Sequence, residues 1–397
     1  MKIGMILDKE FPPDPRVENE AVTLVQEGHE VFLFCLTYNA SEKREEVING
    51  IRVKRYLSSK IEYKLSALAY TVPFYTFLIQ KKITSFLNEV NVDAMHIHDI
   101  RVAEAAFKAA EKCKLPVVLD LHDNLPEIMK FYPHLQKFPG KYLIKPSKWK
   151  IKEEYFIKKA EKVITVSNEF MEEVLSRVPS AKKKISVVPN TIRRAFYNDY
   201  TIEQSIIEKY KNSFVILYLG DTGIRRGLLT TIEAMPTLAK TIKNCKLVIV
   251  GTNTSDTILK EKVKELNISN LVDFEGWKDM ELFPSYIIAS SICISPLYRN
   301  IQHDVAYPNK IFQYSSFEKP ILVSDAKAQK SIVENKKIGL VHKEKDSDDF
   351  AEKVLLLHED EQLRKELGSN GKKFIENEFC WEKTSRSLIN LYREFSN

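Results

Sequence analysis

Short apolar runs alternate with amphipathic stretches along almost the whole chain, and the alternation runs through twice. Runs at residues 3–7, 31–34, 53–56, 94–98, 117–121, 163–166 and 185–188 read as strands, most of them apolar at consecutive positions, as strands covered on both faces must be. The first unit is the plainest. Asp14-Pro15-Arg16 opens a helix with Val17, Ala21, Leu24 and Val25 on one stripe, and Gly28 closes it. At Pro189-Asn190-Thr191 the pattern pauses in a polar turn, and from Phe214 it resumes with strands at 214–219, 247–250, 272–274, 292–295 and 321–323. Helices are expected at about 347–358, 361–377 and 381–395. This order predicts an α/β protein of two doubly wound, Rossmann-like domains, residues 1–190 and 191–378. Residues 379–397 are expected to form a last helix whose stripe of Trp381, Leu388, Leu391 and Tyr392 reaches back to the first domain. At 397 residues the chain is too long for one ordinary domain. Ligands of such sheets bind outside the carboxyl ends of the strands, so two of them facing each other predict an interdomain cleft.

Two stretches of the second half carry charge to that edge. In Tyr307-Pro308-Asn309-Lys310-Ile311-Phe312-Gln313-Tyr314, Pro308 suits the first position of a helix, placing Lys310 in a first turn whose free N–H groups attract anions. Gln313 lies one turn further on the same rim, while Ile311 and Phe312 turn inward. The same residues also suit a core helix with a solvated lysine. In Gly220-Asp221-Thr222-Gly223-Ile224-Arg225-Arg226-Gly227-Leu228, Gly220 and Gly227 permit a close backbone approach, and Arg226 stands at the start of a helix. Alone this is as readily a plain turn. Two cationic helix starts on one sheet edge point to a nucleotide diphosphate.

With these motifs in order, the chain resembles family 4 of the retaining glycosyltransferases, of the GT-B fold, in its bacterial surface-polysaccharide form. Residues 14–31 resemble the family's Asp-x-Arg-Val…Glu-Ala…Gly-His-x-Val, residues 163–167 its Val-Ile-x-Val-Ser, residues 187–190 its Val-x-Pro-Asn, and residues 308–320 its Pro-Asn-Lys-x-x-Glu-Tyr…Lys-Pro. The resemblance implies that Arg226 and Lys310 bind the donor diphosphate and that Gly220, Arg225, Gly227, Pro308 and Asn309 line its site. By the same resemblance Gln313 meets the ribose, His122 lies by the transferred sugar, and Arg16 faces the donor from the first loop. It implies an attack by the acceptor hydroxyl from the leaving-group side, its proton passing to the departing phosphate, with His122 orienting the sugar. Three positions depart from the family. Its two glutamates, seven residues apart, are Val305 and Gln313 here; an amide still bonds a ribose hydroxyl but without charge assistance. The arginine after the first glycine is Asp221, and the glycine before Lys-Pro is Glu318. The expected function is sugar transfer from a nucleotide-sugar to a saccharide or lipid-linked acceptor. The alternatives are a nucleotide-sugar-binding protein that has lost turnover, and a nucleotide-sugar epimerase.

Composition narrows the partners. Five scattered cysteines without a C-x-x-C exclude a disulfide framework or zinc finger and suit a reducing cytoplasm. The strand beginning at Ile3 leaves no room for a signal peptide, and no run reaches the roughly 18 apolar residues of a membrane span. His96 and His98 share a strand face and with Asp99 imitate a metal site; the reading preferred here is the polar end of a buried strand opening onto the cleft, with no metal and no cofactor. Between Lys130 and Lys162 ten lysines face three glutamates, a net of +7 in a chain of +6, interleaved with Phe131, Tyr132, Trp149 and Tyr155. Such a segment suits peripheral attachment to an anionic inner leaflet, helped by the apolar residues 65–79, or else a plain solvated face. No nucleic acid is expected, since no recognition motif accompanies the charge. Trp277, after Gly276 at a strand end, is a candidate for stacking on the nucleobase.

Overall fold

The computed structural model describes every residue except Pro133, His134, Gln136, Pro139 and Asn397. The chain forms two compact units, one from Met1–Pro189 with the chain from Ser385 onward, the other Asn190–Thr384.

The first unit is built on eight strands: β1 (Lys2–Ile6), β2 (Glu30–Thr37), β3 (Glu45–Ile48), β4 (Ile51–Leu57), β5 (Ala94–His98), β6 (Val117–Leu121), β7 (Lys162–Thr165) and β8 (Ile185–Val187). Their order is β3-β4-β2-β1-β5-β6-β7-β8, parallel except for the edge hairpin of β3 and β4. β3 is a strand beyond those expected from the sequence; its Glu45-Glu46-Val47-Ile48 carries only two apolar residues and lies at an edge. The helix Pro15–Gln26 starts as expected: Asp14 caps it, accepting from the N–H of Val17 at 3.1 Å, with Pro15 at its first position.

The second unit has six parallel strands, β9 (Phe214–Leu219), β10 (Cys245–Val250), β11 (Val272–Gly276), β12 (Ile292–Ser295), β13 (Ile321–Ser324) and β14 (Gly339–His342), in the order β11-β10-β9-β12-β13-β14. Along β9, Val215, Leu217 and Leu219 enter one core and Ile216 and Tyr218 the other. Both faces are therefore covered, and that is why the strand reads as an unbroken apolar run. From β9 the chain moves outward through β10, and from β12 it moves the other way through β13. The loops after β9 and β12 diverge at this switch point, where doubly wound sheets bind ligands.

The last segment differs from the expected single helix. A short helix, Trp381–Thr384, stays with the second unit, the Trp381 N–H donating to the Ile192 carbonyl at 2.8 Å. The chain then breaks before a helix Arg386–Ser396, which joins the first unit and buries Leu388, Leu391 and Tyr392 there. The break falls where the Thr384 hydroxyl meets that of Thr191 at 2.8 Å, anchoring the first piece. No helix of the described residues is long and apolar enough to cross a membrane.

Candidate functional site

In the second unit the loop after β9 is shaped by two glycines. Gly220 has φ +108°, and a Cβ there would lie 3.6 Å from the Lys310 Nζ, so this turn runs directly beside the lysine. At Gly227, with φ +80°, a Cβ would stand 1.7 Å from the Pro296 carbonyl oxygen. Gly227 therefore makes room for the protein's own backbone from the loop after β12. A 3-10 turn, Ile224–Arg226, precedes Gly227, which caps the helix Leu228–Thr241; Arg226 thus stands one residue before the cap rather than inside the helix.

Pro308 is likewise the N-cap and not the first residue of its helix, Asn309–Ser316, with ψ 120°. The one-residue shift keeps Lys310 in the first turn, with Asn309 exposed and Gln313 half-buried on the same helix. The Lys310 ammonium lies 3.4 Å from the centre of the Tyr218 ring. Tyr218 is held there by its hydroxyl, which donates to the Asp221 carbonyl at 2.6 Å, and Tyr314 accepts from the Leu219 N–H at 2.8 Å, tying the helix to β9. Burial and then the nearby Arg226 charge hold Lys310 well below an ordinary lysine pKa.

Asp221 stands where the resemblance implies an arginine, and an acidic side chain there does not itself attract a phosphate. Instead it clamps Arg226: its Oδ2 accepts from Arg226 Nε at 3.0 Å, while its Oδ1 accepts from Asn253 Nδ2 at 2.6 Å and the Gly223 N–H at 3.2 Å. Against the opposing effect of burial, Arg226 keeps the carboxylate's pKa low. The clamp uses only the Nε edge of the guanidinium, and among the described residues neither Nη has a hydrogen-bond partner. His303, which the sequence did not single out, completes the cluster. Its ring lies 3.4 Å from Arg225 Nη1, and its Nδ1 is 2.7 Å from the Tyr298 carbonyl oxygen, a contact that requires the proton on Nδ1. Burial, with the charges of Arg226, Arg225 and Lys310, pushes it down to about 4 despite that carbonyl. A neutral imidazole among three cations, with one carboxylate clamping, forms a concentrated positive site open to an anion. Trp277 sits beyond β11 with 69% of its surface exposed.

The first unit holds a second charged cluster, buried except at His122, which keeps 13% of its side-chain surface exposed. Arg16, expected to face the donor from the first loop, is buried on the helix Pro15–Gln26 with its guanidinium committed inside the first unit. Its Nη2 and Nε donate to Asp120 at 2.7 and 3.1 Å, Nη1 to the Val188 carbonyl at 3.0 Å, and Glu20 lies 2.9 Å from Nη2. A guanidinium so committed braces β6 against the helix Pro15–Gln26. His122, just past β6, places Nε2 2.6 Å from Asp120 Oδ2, and although burial opposes it, that carboxylate raises its pKa to about 9. His122 is therefore a cation at neutral pH. His96 and His98 are not open to solvent: both are buried and stack at 4.5 Å, His98 Nδ1 meets Asp120 at 3.3 Å, and His96 Nδ1 meets the Tyr392 hydroxyl at 2.9 Å. Burial first, and then His96, pushes His98 down to about 3. Glu20, His96, His98 and Asp120 bring ligand-type atoms within 4.8 Å of one another, a set in which Asp99 takes no part. Arg16 and His122 already bring positive charge to these carboxylates.

The fold is that of an α/β protein of two Rossmann-like units, with basic side chains and a neutral histidine gathered on the loops after β9 and β12 of the second. Comparison with known proteins gives the class. Glycosyltransferase Family 4 matches residues 16–196, and Glycosyl transferases group 1 matches residues 199–374. An uncharacterized glycosyltransferase of Methanocaldococcus jannaschii is 23% identical over 99% of this chain and 98% of its own length. The capsular polysaccharide biosynthesis glycosyltransferase CapM of Staphylococcus aureus is 21% identical over 59% of this chain and 61% of its own. Among solved structures, sucrose-phosphate synthase of Thermosynechococcus elongatus superposes with a TM-score of 0.78 at 16% identity, covering 99% of this chain and 98% of that one. Anabaena HepE in complex with UDP-glucose gives 0.71 at 15%, covering 100% and 99%. The chain is a GT-B glycosyltransferase, family 4-like.

Proposed function

We propose that this protein transfers a sugar from a nucleotide-sugar to a saccharide or lipid-linked acceptor, with retention at the anomeric carbon, in the making of a cell-surface polysaccharide or glycolipid. The observation that carries the proposal is the pairing of Lys310, seated on Tyr218 beside Gly220, with an Arg226 whose Nη edge is open. Departure of a nucleoside diphosphate builds negative charge on the β-phosphate, and fixed cations aimed at that charge stabilise the transition state more than the ground state. A diphosphate beside Lys310 supplies the counter-charge that favours its ammonium form against the burial that lowers its pKa. Arg225 and His303 hold the flank of the same loop, and Gln313 offers an amide to the ribose. His122, already protonated and paired with Asp120, orients the sugar as a hydrogen-bond donor and takes no proton at neutral pH. No metal is needed, since the cations are the protein's own, and Trp277 stacks on the base.

Support for a nucleotide donor also comes from HepE, whose structures hold UDP, UDP with glucose, and UDP-glucose. The test is a panel of UDP-, GDP-, TDP- and ADP-sugars, scored first by thermal stabilisation and then by transfer, with the anomeric configuration of the product read by NMR. Transfer with retention is expected. Binding without turnover would leave a nucleotide-sugar-binding protein, an isomerised sugar nucleotide an epimerase, and an inverted product would remove the retaining assignment.

A further inference from the structure

The first unit contains an apolar cavity of about 700 Å³ that neither charged cluster uses. Tyr63, Leu68, Met129, Leu143 and Trp149 contribute to its wall, with Lys64 and Arg101 among the polar residues. Its size is that of a site for a sizeable organic ligand. Trp149 is 1% exposed and its indole N–H has no acceptor among the described residues, a buried donor left unpaired in the wall. Such a donor is costly unless a ligand oxygen meets it. Around the cavity the surface is aromatic as well as basic, with Tyr63, Phe138 and Tyr142 exposed.

The lysines of this region fall into two groups. Those of the helix Pro146–Lys159 and its surroundings are mostly neutralised: Lys130 and Lys150 pair with Glu127, Lys152 with Glu104, Lys159 with Glu111 and Lys162 with Glu394. Lys64, in the cavity wall, and Lys141, on the helix Gly140–Leu143 that borders it, are exposed and have no carboxylate partner among the described residues. Lys148 and Lys158 on the helix are likewise exposed without a carboxylate partner among the described residues, so unpaired positive charge reaches the cavity at Lys64 and Lys141 without being confined to it. A hydrocarbon-lined cavity next to unpaired ammonium groups and exposed aromatic rings is complementary to a lipid whose chain is apolar and whose head is a phosphate.

We propose that this cavity takes the hydrocarbon chain of an anionic, phosphate-bearing membrane lipid, with Lys64 and Lys141 on the phosphate and the Trp149 N–H on an oxygen near the head. The inference rests on the sugar-transfer reading above and narrows its acceptor to a lipid of this kind. It is tested with phosphatidylcholine vesicles containing phosphatidylglycerol whose acyl chains carry bromine, which quenches tryptophan on contact. Emission that disappears in Trp149→Phe is expected to be strongly quenched by brominated phosphatidylglycerol and left intact by the unbrominated lipid. Lys64→Gln with Lys141→Gln should weaken vesicle binding by about thirtyfold at low ionic strength. Leu143→Arg, placing a charge in the wall, should abolish quenching while the far-ultraviolet circular dichroism stays unchanged. In each variant the affinity for a nucleoside diphosphate should equal that of the parent, which separates loss of this site from loss of the donor site. Vesicle binding without Trp149 quenching would mean adsorption of the surface alone, and no binding to anionic vesicles would mean that the cavity serves another partner; either result overturns the proposal.

Discussion

Replacing Asp120 by Asn should uncouple the first unit's charge network, and the size of the effect follows from its contacts. The carboxylate receives two hydrogen bonds from a buried Arg16 and lies 2.6 Å from His122. Removing one partner of a buried ion pair costs about 3–5 kcal/mol, and because Glu20 stays 2.9 Å from Arg16 Nη2, the lower figure applies, about 3 kcal/mol. The pH dependence carries a second signature. A histidine raised from 6.5 to about 9 binds its proton more tightly in the folded chain, so its contribution is complete below the unfolded pKa and is lost as pH rises through 9. That contribution is about 3 kcal/mol and belongs to the window between about pH 6.5 and 9. His98 and Asp99, displaced to about 3 and about 6, titrate below it. Denaturant unfolding followed by Trp149, the first unit's only tryptophan, should show the wild type losing stability across that window relative to D120N, which should be weaker at neutral pH and flatter above it. A D120N protein within about 1 kcal/mol of wild type at pH 7, or with the same slope, would refute the network.

Glu318 stands at φ +56°, a left-handed conformation glycine adopts without cost, and its pair with Lys372 is largely exposed. Glu318→Gly should therefore raise stability by about 0.5–1 kcal/mol, measurable by urea unfolding. Gly227→Ala should lower it by about 3 kcal/mol or more, since the added Cβ meets the Pro296 carbonyl in a backbone region that disfavours it. Its melting temperature should fall well below that of Gly223→Ala, whose Cβ meets nothing nearer than 3.4 Å.

Much of the fold could be read from the chain because its strands are covered on both faces. Residues 94–98, 117–121, 214–219 and 292–295 are strands with the expected bounds, each a run that an amphipathic helix would have interrupted. β3 and β14 escaped because an edge hairpin rich in glutamate and a four-residue strand opening on glycine carry little hydrophobic signal. Lys310 and Arg226 were legible beside glycines and a proline. Tyr218 was not, since a strand tyrosine reads as core whether or not its face carries an ammonium. His303 depends on the cap at Asn300, whose Oδ1 accepts from its N–H at 3.0 Å, and only the folded loop brings it to Arg225. Arg16 and Glu20 sit four residues apart like an ordinary exposed helix pair. Their burial against Asp120, more than a hundred residues away, is set by strand order, which spacing along the chain does not disclose.

The convergence of Lys310 and Arg226 on one diphosphate is tested most directly by calorimetric titration of UDP, GDP, TDP and ADP into the wild type, Arg226→Ala, Lys310→Ala and the double variant. For whichever diphosphate binds most tightly, each single change should weaken binding by about 1.5–3 kcal/mol, the loss of a charge-assisted contact. The double variant should fall short of the sum, because the two side chains share one ligand. Wild-type affinity in either single variant would contradict the assignment.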